Sequence, residues 1–400
     1  PGVLDVTATV ETVPVPHTGD SADDIAIWVN PSDPSMSAVI GTDKGGGLVV
    51  YDLAGNQIQY LAEGRFNNVD LRTGFSLGGQ SIILVTAANR DGDIIGIYKF
   101  DPNTRLLESV AASAIRAHDQ GSCMYRSPIT GKYYYFVNSL VGDVDQWELI
   151  DNGAGKVDAL KVRTFNVGSI AEGCVVDDSA MHFYISEEKV GVWRYGAEPT
   201  AGTNRISVDS IASGGRLVAD IEGLTIAYSG DGSKYLFVSN QGNNSYLIYT
   251  IQGDTYTFLK KFRIVAGAID GTSDTDGIDV TTVNLGTAFP SGLFVAQDGT
   301  NDNGNQNFKY VPLNQILEVT PQPPPPPPPP NQTPVGAFDE ITTEGIVKGW
   351  SYDPDASSTS NKVQIYINSP IETGALLSSF ATNILRSDVN SNFGIIGNHG

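Results

Sequence analysis

A unit that repeats six times constrains the fold of this chain more than any other feature. Short strands of alternating apolar and polar residues, punctuated by Gly, Asn and Asp, fill most of residues 1–320, with almost no helical periodicity. Each unit has a first strand preceded by polar residues, a second strand, a polar turn and a third strand. The first strands read "DDIAIWVN" from 23, "NNVDLRTGF" from 67, "GSCMYRS" from 121, "EGCVVDD" from 172, "EGLTIAYS" from 222 and "DGIDVTT" from 276.

A repeat of roughly 44–54 residues that carries several strands is typical of propeller blades. A large β-sandwich is the alternative, but a sandwich has no reason to repeat one strand–turn–strand unit six times. The sequence therefore predicts an all-β fold with a six-bladed β-propeller in residues 1–320. The stretch "PQPPPPPPPPNQTP" predicts an extended polyproline linker at 321–334. Residues 335–400 are expected to form a small β-rich accessory module, and their end at "GIIGNHG" suggests that the module is truncated.

The predicted propeller brings many acidic residues together. First strands line the central channel of a propeller, and one set of loops meets at its mouth. The residues before the first strands should therefore meet those in the turns after the second strands. The first set is Asp23, Asp24, Asn67, Asn68, Gln120, Glu172, Asp220, Glu222, Asp274 and Asp276; the turns supply Lys44, Arg90, Glu187, Glu188, Asn240, Gln241, Gln297 and Asp298. The sequence predicts a ring of carboxylates with two cations on its rim.

Such a ring predicts a metal site. Crowded carboxylates raise each other's pKa and cannot all stay ionised without cations. Ligands that offer only oxygen select Ca²⁺, with Mg²⁺ or Mn²⁺ behind it. Zinc fits poorly, because there is no HExxH motif or Cys cluster and only His118 of the four histidines lies near a first strand. The alternative for the aspartates of "AIDGTSDTDGIDV" (268–280) is an ordinary turn.

The positions of Lys44 and Arg90 indicate which kind of ligand would bind at the carboxylate ring. They occupy equivalent turns of consecutive units beside the acidic channel, where cations next to filled carboxylates would bind phosphate. Simple solvent exposure is the alternative for both.

Charge and composition exclude some partners. The formal net charge of −21 argues against nucleic acid and anionic membranes, and no apolar run approaches the ~18 residues of a membrane span. The start at "PGVLDV" is expected of a mature or trimmed form of an exported protein. Cys123 and Cys174 fall at the same position of adjacent first strands, which leaves open a disulfide or two buried thiols.

Six segments together resemble the β-propeller phytases of the alkaline, calcium-dependent 3-phytase type. They are "DSADDIAIWVNP", "NNVDLR", "DIEGLT", "DGTSDTDGIDV", "FVAQDG" and "NQNFK", in the family's order, and the resemblance covers roughly residues 5–318. It implies calcium-dependent hydrolysis of phosphate monoesters from phytate, myo-inositol hexakisphosphate, by a calcium-associated water, with an adjacent phosphate-binding subsite. No protein nucleophile is needed, which agrees with the absence of a GxSxG elbow or a recognisable Cys–His pair.

The resemblance also implies roles for single residues. At the cleavage subsite it places Glu172, Asp220, Glu222 and Asp298. Its metal ligands, binding several Ca²⁺ ions, are Asp23, Asp24, Glu172, Glu188, Asp220, Glu222, Gln297, Asp298 and Asn305. Lys44, Arg90 and Gln120 are expected to bind substrate phosphate. Two departures stand out: the family commonly has Tyr where this chain has Gln120, and Lys where it has Leu140.

The resemblance further implies a secreted or periplasmic bacterial monomer that takes phytate as its calcium complex and binds neither nucleic acid nor membranes. Two rival functions remain: a non-catalytic calcium-binding propeller, and a calcium-dependent lactonase or phosphotriesterase. In the tail, "GIVKGWSYDPD" and "DVNSNFGIIGNHG" resemble a small accessory module of secreted bacterial proteins, with Trp350 and Tyr352 expected in its core. Stacking of these aromatics on a sugar is the alternative.

Overall fold

The structure, a computed structural model, describes residues 2–327, 335–343, 346–352, 362–367, 375–381 and 386–393. The chain separates into two compact units. The first comprises Pro1–Thr73, Ile83–Ile150 and Val157–Pro327, and the second comprises Gly74–Ile82, Asp151–Lys156 and Pro328–Gly400.

Six sheets form the propeller, one for each blade, and the strands of a blade follow one another in sequence except for two N-terminal strands that join blades 5 and 6. The N-terminal segment supplies β1 (Val3–Val6) and β2 (Val10–Glu11). Blade 1 is β3 (Ala22–Trp28), β4 (Ala38–Asp43), β5 (Gly47–Tyr51) and β6 (Gln57–Leu61); blade 2 is β7 (Phe66–Leu77), β8 (Gln80–Asn89), β9 (Ile94–Phe100) and β10 (Leu107–Ser109). Blade 3 is β11 (Ser122–Arg126), β12 (Tyr133–Asn138), β13 (Asp143–Asp151) and β14 (Val157–Asn166); blade 4 is β15 (Ala171–Asp177), β16 (His182–Glu187), β17 (Gly191–Gly196) and β18 (Arg205–Ser210). Blade 5 is β19 (Leu224–Tyr228), β20 (Lys234–Asn240), β21 (Ser245–Gln252) and β22 (Thr255–Ile264); blade 6 is β23 (Ile278–Thr281), β24 (Leu293–Asp298) and β25 (Asn307–Pro312).

The N-terminal strands close the ring of blades. β2 pairs antiparallel with β25 and supplies the fourth strand of blade 6, so this blade is built from both ends of the propeller sequence. β1 pairs parallel with β22 and adds a fifth strand to the outer edge of blade 5. The N-terminal segment therefore covers the outer edge of β22 in blade 5 and of β25 in blade 6.

The hydrophobic core lies between neighbouring blades, because the strands alternate and present apolar side chains to both adjacent sheets. Trp28 of blade 1 packs on Phe100 of blade 2 with ring centroids 4.9 Å apart. Phe136 of blade 3 stacks on Phe183 of blade 4 at 4.3 Å. These inter-blade contacts hold the first strands at fixed positions around the centre.

All six first strands line a central channel, through residues such as Asp24, Asn68, Ser122, Gly173 and Leu224. The prediction of an all-β, six-bladed β-propeller is therefore confirmed.

A disulfide between Cys123 and Cys174 joins blades 3 and 4 in the channel wall. The expectation that the two cysteines occupy the same strand position is wrong by one residue. Cys174 lies two residues after Glu172, whereas in the matching register Cys123 lies three after Gln120.

Three short 3₁₀ helices interrupt the strands within residues 2–327, namely Pro34–Met36, Gln241–Asn243 and Leu313–Gln315. Contacts of the propeller continue into the predicted linker, since the backbone N–H of Gln322 donates to the Thr282 carbonyl. Residues 328–334 of the predicted linker lie outside the described residues.

In the second unit, β26 (Val335–Ile341) pairs with β27 (Val347–Tyr352), and β28 (Lys362–Ile367) pairs with β29 (Ala375–Ala381). A short helix, α1, spans Ser387–Phe393. The Trp350 and Tyr352 rings are stacked, with centroids 6.4 Å apart, and both residues are half-buried. The accessory-module boundary and the roles of these aromatics stay predictions. Among the described residues, no helix has the length and apolar character needed to cross a membrane.

Candidate active site at the propeller mouth

Each blade places one residue at the mouth of the channel, at the start of its first strand. In blades 1 and 4 this residue lies in a β-bulge: the register shifts between Ala22 and Ile25, and again between Ala171 and Cys174. A bulge takes a side chain out of the regular alternation and re-aims it. The backbone pairing aligns six residues, which we call the first-strand positions: Asp23, Asn67, Gln120, Glu172, Glu222 and Asp276.

Glycine follows four of the first-strand positions because neighbouring strands approach closely there. A Cβ atom on Gly121 would lie 1.7 Å from the Glu172 carbonyl oxygen, and one on Gly173 would lie 2.2 Å from that of Glu222. Only glycine permits this approach. The four glycines therefore draw the carboxylates of successive blades together.

Two neighbouring residues at the end of each second strand have different environments. The first of them is bound within its own blade. Asp43 accepts from the Gly45 N–H at 2.7 Å, and Glu187 accepts from Ser169 Oγ at 2.6 Å and Trp193 Nε1 at 2.7 Å. In blades 1, 4 and 5 the next residue faces the mouth, where Lys44, Glu188 and Gln241 make their contacts. The turn positions of the six blades are Lys44, Arg90, Leu140, Glu188, Gln241 and Gly299.

The centre of the site is a cluster of three carboxylates. Glu172, Glu188 and Glu222 each offer an oxygen atom, and these three oxygens lie within 4.8 Å of one another. Asn67 Nδ2 donates to Glu172 Oε1 at 2.8 Å and fixes its orientation. Asp220 lies beside Glu188, whose backbone carbonyl accepts from the N–H of Ile221 at 3.1 Å.

Lys44 links the cluster to blade 6. Its Nζ lies 2.8 Å from Asp20 Oδ1, 2.8 Å from Asp23 Oδ1 and 3.0 Å from Asp276 Oδ2. Gln241 Nε2 donates to the other oxygen of Asp276 at 2.5 Å. One ammonium group is therefore surrounded by three carboxylates, two of them buried or half-buried.

The electrostatics are those of a site short of positive charge. Burial, followed by the charges of neighbouring carboxylates, raises the pKa of Glu172, Glu222 and Asp276 well above the ordinary range. Burial and the Asp220 charge raise the pKa of Glu188 as well. Although burial alone would lower it, the charges of Asp23 and Asp276 raise the pKa of Lys44 above its ordinary value.

Several carboxylate oxygens of the site have no hydrogen-bond partner. Among the described residues, Asp23 Oδ2, Asp220 Oδ1 and Glu222 Oε2 are buried without a donor. Unpaired buried anionic oxygens are unfavourable unless a cation binds them. With an oxygen-only donor set, this arrangement fits a hard divalent ion such as Ca²⁺.

Four of the predicted metal ligands lie elsewhere. Asp24 is in the channel wall, where its Oδ2 accepts from Asn68 Nδ2 at 3.0 Å and the Val69 N–H at 3.1 Å. Gln297 Oε1 accepts from the Asp276 N–H at 2.9 Å, behind the ring. Asn305 Nδ2 donates to the carbonyls of Val15 and Pro16.

The fourth is Asp298, the last residue of β24. It occupies the position whose side chain is bound within its own blade. Its Oδ1 accepts from the N–H groups of Ser273 and Thr300, and its Oδ2 lies 3.4 Å from Lys309 Nζ. The structure therefore brings Asp23, Glu172, Glu188, Asp220 and Glu222 together, and it places Asp298 beside Lys309 instead.

The three predicted phosphate-binding residues lie on consecutive blades. Lys44 is in the ring, Arg90 occupies the turn position of blade 2, and Gln120 occupies the first-strand position of blade 3. Gln120 donates through Nε2 to Asp119 Oδ1 at 3.0 Å. Leu140 is exposed at the turn position of blade 3.

The predicted ligand set omits one residue that the geometry includes. Asp276 contacts Lys44 and Gln241 at the centre of the mouth. Its sequence signal was available, since "DG" at 276–277 matches "EG" at 172–173 and 222–223. Asp20, the third partner of Lys44, has no such signal because it lies in the segment before blade 1.

Comparison with known proteins gives both a family and a relative. A model of the phytase family, described as "Phytase", matches residues 3–323. The 3-phytase of Bacillus subtilis (strain 168) is 45% identical over 325 residues, which are 78% of this chain and 85% of that protein.

Among solved structures, a β-propeller domain from Myceliophthora thermophila matches with a TM-score of 0.40 and 9% identity, over 73% of this chain and 83% of that one. A putative oxidoreductase (glucose dehydrogenase) from Thermus thermophilus matches with a TM-score of 0.44 and 11% identity, over 76% of this chain and 98% of that one.

Proposed function

The chain belongs to the phytase family, and from this premise we propose that the carboxylates at its propeller mouth bind several Ca²⁺ ions that hold the substrate. The protein is a phosphoric monoester hydrolase that removes phosphate from phytate, myo-inositol hexakisphosphate. Phytate carries many negative charges, so a site with so many carboxylates would repel it unless cations neutralise both.

The observation that carries the calcium proposal is the set of buried oxygens without donors. Asp23, Asp220 and Glu222 each have a buried carboxylate oxygen without a hydrogen-bond donor. These oxygens accompany the cluster of Glu172, Glu188 and Glu222. Carboxylate oxygens from several separate strands and turns suit the high coordination number and flexible geometry of Ca²⁺ better than the strict octahedron of Mg²⁺. We therefore assign the ions to Asp23, Glu172, Glu188, Asp220, Glu222 and Asp276.

Bound Ca²⁺ supplies neutralising charge and polarises the P–O bonds of the phosphate. The chain's own groups do the rest. Asn67 and Gln241 hold Glu172 and Asp276 in fixed orientations through their amides. Lys44 stays protonated and offers its ammonium to a phosphate oxygen, and exposed Asp20 is the partner that substrate displaces most easily.

Arg90 is the natural second phosphate ligand. It occupies the turn position next to that of Lys44, and no ion pair holds its guanidinium among the described residues. A half-buried guanidinium on the blade next to that of Lys44 can bind a second phosphate group in bidentate fashion. Two cations on consecutive blades would therefore engage two phosphates of one substrate.

We further infer that the enzyme is an exported monomer and takes phytate as its calcium complex. The disulfide between Cys123 and Cys174 supports an oxidising compartment, because such bonds persist mainly outside the cytosol. The net charge of −21 supports a substrate that arrives with its own calcium, since free phytate would be repelled.

The test is phosphate release from phytate by the purified chain, with Ca²⁺ and with excess EDTA. We expect release only with calcium, and a loss of at least about a hundredfold in Glu222→Gln, whose side chain keeps its size but loses its charge. Glu108→Gln is the matched control, since it makes the same change in a glutamate that pairs with Lys99 on the outer strands of blade 2.

Three outcomes would contradict the proposal. Release that persists in EDTA would remove calcium from the mechanism. Calcium binding without release from any phosphate ester would favour the binding-only propeller, and hydrolysis of lactones alone would favour the lactonase alternative.

A further inference from the structure

The turn that carries Lys44 consists mostly of glycine. Gly45, Gly46 and Gly47 follow Lys44 directly, and glycine has more backbone freedom to lose on folding than any other residue. A turn of this composition does not hold a side chain at a fixed position by itself. The Lys44 ammonium nevertheless lies within 3.0 Å of three carboxylates, so other contacts are needed to fix the turn.

Asp43, the residue before Lys44, is bound from two directions. It is fully buried, and its Oδ1 accepts from the Gly45 N–H at 2.7 Å, which closes the turn. Its Oδ2 lies 2.7 Å from His17 Nδ1 and accepts from the Tyr60 hydroxyl at 2.9 Å. Burial, followed by the bond to Asp43, raises the pKa of Tyr60, so its hydroxyl keeps its proton and donates. One carboxylate therefore joins the turn to two side chains outside it.

His17 and Tyr60 also cover the glycines of the turn. A Cβ atom on Gly45 would lie 2.2 Å from His17 Cβ, and one on Gly46 would lie 2.8 Å from His17 Cε1. A Cβ atom on Gly47 would lie 2.5 Å from Tyr60 Cζ. Any larger residue would displace one of the two rings, so the rings and the three glycines form one packed unit.

The segment that contains His17 is itself anchored. Gln306, directly before β25 of blade 6, accepts from the Ser21 N–H at 2.7 Å. The Ser21 hydroxyl donates to the His17 carbonyl at 2.8 Å, and the Ser21 carbonyl accepts from the Lys44 N–H at 2.6 Å. Asp20, which lies between them in sequence, pairs with the Lys44 ammonium. The segment is therefore tied to the Lys44 turn at both of its ends and to blade 6.

We propose that His17 is a positioning residue for phosphate binding: by holding Asp43 it fixes the glycine turn and, with it, the ammonium group of Lys44. This inference rests on the proposed function, in which Lys44 binds a substrate phosphate. Among the described residues, the His17 ring lies within hydrogen-bonding distance of Asp43 and Tyr60 and of no carboxylate of the ring. It therefore acts on the substrate through Lys44 and contributes to affinity rather than to bond cleavage.

The experiment measures KM and kcat for phytate at one calcium concentration in the wild type and in variants of His17. His17→Ala removes one of the two side chains that hold Asp43 from outside the turn, and it should raise KM about fivefold with kcat changed less than about twofold. His17→Asn keeps an amide donor near the position of Nδ1 and should return KM to within about twofold of the wild type. A purely structural role would lower Tm and leave the KM of the folded enzyme unchanged, which would overturn the proposal.

Lys44→Met supplies a second comparison. Removing the ammonium group should itself raise KM, and adding His17→Ala in that background should change KM by less than about twofold, because the group that His17 positions is gone. Fully additive effects would overturn the proposal. His182→Ala is the matched control, since His182 also lies near a carboxylate, 3.8 Å from Asp254, but at the end of β16 away from the mouth. It should change neither KM nor kcat.

Amide hydrogen exchange tests the turn independently of catalysis. His17→Ala should speed exchange at residues 43–47 by at least about fivefold and leave the equivalent turn of blade 4, at residues 187–191, unchanged. Faster exchange with an unchanged KM would overturn the positioning role and leave the phytase reaction standing. A wild type that releases no phosphate from phytate would contradict the proposed function; faster exchange in the variant would then still support the hold of His17 on the turn, and unchanged exchange would overturn it.

Discussion

Lys309 closes the propeller, and its removal should be strongly destabilising. The side chain is fully buried in blade 6, with Nζ 2.6 Å from Glu11 Oε2 on β2, in contact with Asp270 and 3.4 Å from Asp298 Oδ2. These carboxylates belong to the N-terminal strand, to the loop before β23 and to the end of β24. One ammonium group thus holds together the elements that complete the ring of blades.

The magnitude for Lys309→Met follows from the charges left behind. Met fills a similar volume, but three carboxylates then lie together without a cation, and breaking a buried ion pair destabilises by about 3–5 kcal/mol. Because Glu11 is 28% exposed, water can partly solvate one of them, and we take about 3 kcal/mol. An unfolding entropy of about 2.1 cal mol⁻¹ K⁻¹ per residue gives about 0.7 kcal mol⁻¹ K⁻¹ for roughly 320 residues. The expected fall in Tm is therefore about 4–5 °C.

Thermal and urea unfolding in calcium-free buffer measure this effect. Lys99→Met is the control, since Lys99 pairs with Glu108 on the surface at 3.0 Å and should change the free energy of unfolding by about 0.5 kcal/mol or less. Glu11→Gln in the Lys309→Met background should recover part of the loss, because one uncompensated charge is removed. A Tm for Lys309→Met within about 1 °C of the wild type would refute the reasoning.

Three further predictions concern the ring and the channel wall. Asp276→Asn should abolish calcium-dependent phosphate release, whereas Asp298→Asn should lower Tm and retain release; the opposite pattern would exchange their assigned roles. Because burial and mutual repulsion raise the pKa of Glu172 and its neighbours, calcium must displace protons, so calcium affinity measured by titration calorimetry should rise with pH and level off above the raised values. Because these carboxyl groups bind protons more tightly in the folded than in the unfolded state, the free energy of unfolding of the calcium-free protein should fall as pH rises through the raised pKa values. A calcium affinity that is constant from pH 6 to 9 would contradict the raised pKa values on which both predictions depend. Replacing Cys123 and Cys174 by Ser opens a loop with a sequence separation of 51 and should destabilise by about 4 kcal/mol, measured by urea unfolding against the oxidised wild type; an unchanged unfolding midpoint would contradict it.

The fold was predictable because its signal is redundant. Six copies of one strand–turn–strand unit report the same architecture, so an error in one copy does not change the fold. The cluster at the mouth was predictable for the same reason, since Glu172 and Glu222 are each followed by glycine in the same local pattern. Closure by β2 was not predictable, because a two-residue strand carries no periodicity and pairs with a partner about 300 residues away.

Individual metal ligands were harder to predict than the fold, because neighbouring side chains on a strand point to opposite faces and an alignment must therefore be correct to one residue. Asp298 is the last residue of the second strand of blade 6, whereas Lys44 is the first residue after the second strand of blade 1. The two residues therefore occupy positions that differ by one within the repeated unit. Successive side chains in extended chain point in opposite directions, so a shift of one residue changes a group that faces the mouth into one that binds its own blade. Cys123 and Cys174 also differ by one residue from their predicted equivalence, in the channel wall.

The residue bound within its own blade and the residue that follows it depend on each other. The first holds the backbone in place, and the second presents its side chain to the mouth. A residue such as Glu187, bound by Ser169 and Trp193, fixes the turn so that Glu188 can stay in a cluster of like charges that would otherwise spread apart. The repulsion within the ring is thus sustained by hydrogen bonds one residue away, in the same way that strained sites are supported by their surroundings. In blade 3 the same support is present, through Ser139 and Asn166, but the residue that it presents is Leu140.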